Sequence, residues 1–459
     1  MQGWQNGVVT VAPSRPPLVS RILAPLADPV LRVLVVATLI SRIGRGIFLT
    51  VTVLYFTFVV GLPANEVAIV LSLASAAGVL SSLAGGWLAD RVSARALLIG
   101  LSVADGVGLI AYVFAGDFVT ALVIAVSVGA VEQAANATRT AIIARAFTGE
   151  RRVEARAVLR TVTNLSIAVG SGIGAIALVV GTPEAYRAII VGAGVAYLLG
   201  VTQLVRLPRT GDAPARLLAT PVTTATGSTD VAASARAERA ALRAHSPWRD
   251  PRYLLLTLCS AVFGMQFGVS DVGVPLWIAH HTAAPEVLVA FVLVLNTAIV
   301  VLFQVPLSRG THDLRVAGRV SAIAAWLMAG ACVVYALAAG LPAWAAIAVV
   351  LVAALSHAFA EVLSQAGGWG LSFELADPVR AGTYQGVFSM GYSLGAMCAP
   401  LVVASTALEH GLAGWTVLGA IFLASGLGTW AIARRAARAA DERVSGEGKL
   451  LRTGSAVSS

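Results

Sequence analysis

The chain has 459 residues, of which 58% are hydrophobic and 12% charged, and its mean hydropathy is +0.83. A water-soluble fold of this length cannot hide so much apolar surface, so a single soluble globule is excluded and most of the chain must face lipid. The net charge of +9 does not point to nucleic acid, because the basic residues sit in short connections between apolar segments rather than in one patch with interleaved aromatics.

Residues 1–30 carry several prolines and no succession of charged, apolar and small residues of the signal-peptide kind, so they read as a cytoplasmic N-terminal segment. Six apolar spans follow, at 31–60, 66–87, 96–115, 118–140, 157–180 and 186–206. From 207 to 250 the composition switches to Ala, Thr, Ser, Asp and Arg, which reads as a polar cytoplasmic linker; its AERAALRAH stretch is either part of the tether or a short amphipathic helix on the membrane surface. Six further spans lie at 252–279, 286–306, 316–338, 342–365, 383–405 and 411–433, before a polar tail from 436 to 459. Most spans are close to the ~20 residues that cross a bilayer. The expected fold is therefore all-α and integral to the membrane: twelve transmembrane helices in two six-helix bundles, 31–206 and 251–435.

Arg91, Arg95, Arg145, Arg151, Arg152, Arg156, Arg209, Arg252, Arg309, Arg315, Arg380 and Arg434 fall in alternate connections, while GLPANE, AGD, HHTAAPE and GLPA between them are short and nearly free of Arg. By the positive-inside rule both termini are cytoplasmic. Lys449 is the lone Lys among these basic residues, which fits the codon usage of a high-GC bacterium and hence a bacterial plasma membrane. The three cysteines, Cys259, Cys332 and Cys398, lie inside apolar segments and suggest neither a disulfide framework nor a metal site.

The connection after the second span reads GGWLADRVSARALL. Gly86 allows close helix approach, Asp90 is placed to cap or pair with a neighbouring helix end, and Arg91 and Arg95 hold the loop inside. With Leu88 and Ser93, these residues resemble motif A of the major facilitator superfamily. Ser93 stands where that family usually has Gly, and Ala94 where it usually has a basic residue. The resemblance runs from the first span to the twelfth. RTVTNLSIAVGSGIGA in the fifth span and EVLSQAGGWGLSFELADP in the tenth are similar to bacterial multidrug-exporter-type members. It implies that Asp90 latches the second span to the eleventh when the cytoplasmic side is closed. It also implies that the first, fourth, seventh and tenth helices line a central cavity. Gly170 and Gly174, and Gly391 and Gly395, form small-residue faces of the kind used in helix packing.

Ionisable residues at mid-bilayer depth cost about 2.5–3.5 kcal/mol each on insertion scales, so each calls for a partner, water or a role. Arg42 and Arg45 lie in the first span, Glu132 in the fourth, Asp271 in the outer part of the seventh, and His357 and Glu361 in the tenth. Glu132 and Asn136 share a helix face within reach of Arg42 or Arg45, as a static ion pair or as a proton or substrate site; one arginine then remains over for an anionic substrate. His357, Glu361 and Gln365 recur every four residues, and Glu361 is the best candidate for proton exchange, with His357, Glu132 and Asp271 as further proton-coupling candidates. Gln266, Asn296, Gln365 and Trp369 complete the expected cavity lining, and Asp105 in the third span has no assigned role.

There is no phosphate-binding Gly loop with Lys, no metal-ligand spacing of Cys and His, and no nucleophile elbow, so neither cofactor nor metal is expected and an ion gradient is the energy source. The expected function is a monomeric secondary transporter whose partners are a small-molecule substrate, protons and the lipid bilayer: proton-coupled efflux of small amphipathic organic molecules, a drug or a secondary metabolite, by alternating access. The rival readings are a nutrient importer or uniporter of the same fold, and a membrane receptor or scaffold that no longer transports.

Overall fold

The computed structural model describes residues 24–209, 212 and 245–456, and all regular secondary structure among them is helical. Most of the expected linker, including AERAALRAH, and most of the N-terminal segment lie outside the described residues. The membrane helices are α1 Pro29–Val60, α2 Ala64–Ala89, α3 Ala94–Phe114, α4 Phe118–Ala146, α5 Gly149–Val180, α6 Pro183–Leu204, α7 Pro251–His281, α8 Leu288–Ser308, α9 Leu314–Leu337 and α10 Ala343–Glu374. A last continuous stretch, Pro378–Arg443, has 66 residues, about 99 Å of helix at ~1.5 Å per residue and far more than one bilayer crossing. It comprises α11 Ala381–Val403, a π-helical turn Ala404–Leu408 and α12 Glu409–Ala456, and the kink that separates the two crossings falls at Gly411, in the first turn of α12, with φ 54° and ψ −131°.

The helix starts follow from local chemistry. Asp28 accepts from the amides of Val30 and Leu31 ahead of α1, Asp117 and Thr120 form a capping box on α4, and Asp250 and Asp313 cap α7 and α9. In each case a side-chain oxygen takes up an amide that has no partner inside the helix. Turns back into the membrane use glycines at positive φ, such as Gly61 (81°) and Gly340 (74°), where a Cβ would be strained.

Several helices outrun their apolar windows. α5 begins at Gly149 rather than near 157, and α10 runs to Glu374 rather than ending near 365. Hydropathy marks the stretch that needs lipid, whereas these helices continue because their charged turns pair: Arg152 of α5 lies 3.4 Å from Glu374 of α10. Beyond 435 the chain also stays helical, and Arg315 at the start of α9 bonds to Asp441.

The two halves repeat one packing plan. α1 packs on α5 and α6, α2 on α4, and α3 on α4 and α6; in the second half α7 packs on α11 and α12, α8 on α10, and α9 on α10 and α12. Glycine sets the tightest of these contacts. A Cβ on Gly170 would stand 2.1 Å from the Ile43 carbonyl oxygen, and one on Gly395 would stand 2.0 Å from that of Ala261, so α5 lies against α1 as α11 lies against α7. Leu80, Phe114, Val179, Trp344 and Leu401 are exposed on the outside of the bundle, an apolar surface that suits lipid contact.

Between the halves, the most extensive helix pairs are α2 with α11 and α5 with α8, equivalent under exchange of the halves, and α4 also meets α11 and α5 meets α10. A Cβ on Gly86 would stand 2.2 Å from the Gly382 carbonyl oxygen, so the α2–α11 crossing depends on backbone approach at the Arg-rich end of the molecule.

Candidate functional site

A cavity of about 670 Å³ lies between the halves, within the range that takes a drug-sized ligand. It is lined on α1 from Thr38 to Val53, on α2 from Leu71 to Gly78, on α4 from Ala125 to Thr140, on α5 from Arg156 to Asn164, and on α11 from Ser389 to Met397, with Gln365 and Trp369 from α10.

Its N-terminal wall is built around Glu132, which is 6% exposed. Arg42 reaches Glu132 Oε1 at 2.9 Å, and Arg45 reaches Oε2 at 2.9 Å. The second Arg42 nitrogen bonds to Asn136 Oδ1, which also accepts from Arg139 at 3.0 Å. Asp105 of α3 lines a small adjoining cavity with Arg42, Glu132, Asn136, Arg139 and Tyr197. Two cations on one carboxylate, with an amide oxygen beside them, satisfy much of the charge that burial would otherwise make costly.

The opposite wall is a ladder. Arg152, Arg156 and Arg160 are four residues apart on α5 and share one face, which meets α10. Arg152 pairs with Glu374, Arg156 lies 3.8 Å over the Trp369 ring, and Arg160 pairs with Glu361. Arg160 also donates to Gln304 of α8 at 3.1 Å. Trp369 Nε1 donates to Gln365 at 2.7 Å, and Gln365 donates to the Tyr392 hydroxyl. Glu361 is 2% exposed and lies behind the cavity wall, linked across the halves by Arg160.

The Arg-rich end is closed by the loop singled out in the sequence. Asp90, the residue after α2, accepts from the amides of Gly382 at 2.8 Å and Thr383 at 2.6 Å, and from the Thr383 hydroxyl at 2.5 Å. Its carboxylate therefore caps the N-terminus of α11, where the helix dipole favours negative charge, while Arg145 of α4 pairs with the same oxygen as the Gly382 amide. Arg91 stacks on Trp87 at 3.7 Å. The Arg95 amide donates to Asp212 at 2.9 Å, and its guanidinium donates to the Val205 carbonyl.

The remaining sequence candidates lie elsewhere. His357 is buried edge-on to Tyr335, its Nε2 without a hydrogen-bond partner among the described residues, and it is not among the lining residues of the central cavity. Gln266 donates to Ser364 at 3.0 Å and lines a small cavity within the C-terminal half. Asp271 is exposed in a π-helical turn of α7, and Asn296 is half-buried on α8; neither lines the central cavity. Sequence reasoning passed over Arg139 and Arg160 and placed Arg156 in a loop, although the four-residue spacing of Arg152, Arg156 and Arg160 was visible.

The fold has relatives of known structure. The human organic anion transporter MFSD10 (TETRAN) superposes with a TM-score of 0.63 at 15% identity, covering 87% of this chain and 99% of its own. The proton:xylose symporter XylE, bound to 6-bromo-6-deoxy-D-glucose, gives 0.62 at 15% identity, covering 88% of this chain and 94% of its own. The transporter FucP in its outward conformation gives 0.62 at 12% identity, with 88% and 97% covered. No curated protein matches at the sequence level. Residues 34–400 match the family model of the Major Facilitator Superfamily. The chain therefore belongs to the Major Facilitator Superfamily, a multi-pass membrane transporter of small molecules rather than an enzyme.

Proposed function

We propose that the protein exports small organic molecules in exchange for protons, alternating access between two six-helix halves, as a monomer in a bacterial inner membrane with both ends in the cytoplasm. The observation that carries this reading is the Arg160–Glu361 pair, a buried charge pair that ties α5 of one half to α10 of the other. With Asp90 on α11 and Arg152 on Glu374, it holds the Arg-rich side shut while the cavity extends toward the Arg-poor side. Protonating Glu361 removes the charge that holds Arg160 and weakens the tie between halves, so a proton taken from outside favours reopening toward the cytoplasm. Besides Arg160, the charged or titratable groups that act on Glu361 among the described residues include Asp271 of α7 and Tyr392 of α11. Asp271 is the exposed carboxylate that a proton meets first, and His357 and Glu132 stay on the structural side of the cycle.

The test is transport in an efflux-deficient bacterial host, screened with fluorescent amphiphiles for one whose accumulation falls when the protein is expressed and recovers when the proton gradient is collapsed. Glu361→Gln is expected to abolish gradient-driven efflux of that compound while counterflow exchange persists. Full gradient-driven efflux by the variant would overturn the assignment.

A further inference from the structure

The central cavity holds more positive charge than its own carboxylates can balance. Arg42, Arg45, Arg139, Arg156 and Arg160 all line it, and among the described lining residues Glu132 is the one carboxylate. Counting also Glu361 and Asp105, which lie behind the wall, five guanidiniums face three carboxylates among the described residues. Arginine stays protonated in proteins, so at least two positive charges are left over.

The residues that carry the surplus can be named. Arg42 and Arg45 share Glu132, and Arg160 has Glu361. Among the described residues Arg139 has one hydrogen bond, to the neutral Asn136, and Arg156 has none, only the face of Trp369 beneath it. Neither is within ion-pair distance of a carboxylate among the described residues, and the like charges of Arg160, Arg139 and Arg42 act on Arg156. A guanidinium stacked on an indole keeps its edge donors free, and that edge is the geometry that binds a carboxylate or phosphate in two-pronged fashion. Phe48, Leu49, Leu159 and Met397 give the same cavity apolar walls.

We propose that the transported molecule is an organic anion, its carboxylate or phosphate held by Arg139 and Arg156 and its apolar body lying against the Phe48–Leu49 wall. This rests on the transport reading above and adds the charge of the cargo. Such an anion neutralises the surplus only while it is bound, so the loaded cavity is the better balanced one.

Thermal unfolding of the full chain in detergent micelles, at constant ionic strength, tests the charge assignment without requiring transport. The probes are a set of hydrophobic aromatic carboxylates and phosphates, and primary ammonium compounds on the same carbon skeletons. The anions are expected to raise Tm in a saturable way and the ammonium series to leave it unchanged. Arg139→Gln/Arg156→Gln is expected to be at least as stable as the parent without ligand, since it loses two unbalanced charges. Its midpoint for the anions should move about tenfold or more to higher concentration, the loss given by a charged hydrogen bond of about 1.5–3 kcal/mol. Arg156→Lys should recover part of the response. Stabilisation by the ammonium series, by neither series, or to the same extent in the double variant would overturn the proposal. Efflux that survives alongside an ammonium-selective response would overturn the charge of the cargo alone; anion binding without gradient-driven efflux would overturn the transport reading alone.

Discussion

Glu132 receives a guanidinium on each of its two oxygens, and its removal would leave the buried Arg42 and the half-buried Arg45 with no carboxylate in ion-pair contact among the described residues. Breaking a buried pair from one side typically costs about 3–5 kcal/mol, because the stranded charge remains. Glu132→Gln is accordingly expected to lower the unfolding temperature and the yield of folded protein sharply, with an unchanged melting curve as the contrary result. This cluster was legible in the sequence because its members sit deep in apolar spans, where any charge stands out and few partners are available. The Arg160–Glu361 pair was only half legible. Glu361 was visible as a carboxylate in an apolar span, but its partner lay at the edge of a hydropathy window that missed the first two turns of α5. Arg156 was assigned to a loop for the same reason, and no spacing rule connects Asp105 of α3 to the α4 cluster it adjoins.

At the scale of helices, glycine decides which pairs come close. Gly86 faces the backbone of Gly382 and Gly386 where α2 crosses α11, one turn before Asp90 caps α11. A methyl group there has no room, and overpacking of this kind costs about 1–3 kcal/mol, charged to the state in which the Arg-rich side is shut. Gly86→Ala is therefore expected to shift the protein toward the state open at the Arg-rich end, the cytoplasmic side in the proposed orientation. A cysteine at the lining position Ser389 should then react more slowly with a membrane-impermeant maleimide added from outside than in the Gly86 parent; an equal or faster rate would contradict the argument. The small-residue faces of α5 and α11 were readable from their spacing alone. Which helix each would meet was not, because spacing describes one surface and the contact needs two.

For the whole molecule, composition and span count carried the fold, since lipid leaves a chain few ways to satisfy its backbone. The break that separates the last two crossings is one glycine in an otherwise continuous helix. What the sequence did not display is how the halves are tied. That depends on charges from distant segments meeting across the interface, and Arg160 and Glu361 are 201 residues apart in the chain. In the proposed cycle the protonation state of Glu361 governs opening of the Arg-rich side. This control is tested most directly by pulsed electron–electron resonance between spin labels at Arg151 of α5 and Arg309 after α8, both exposed at that end, with Cys398 replaced by Ala. The distance is expected to lengthen on acidification and to be long at every pH in Glu361→Gln. A distance distribution that is the same in the parent and the variant, and indifferent to pH in both, would contradict it.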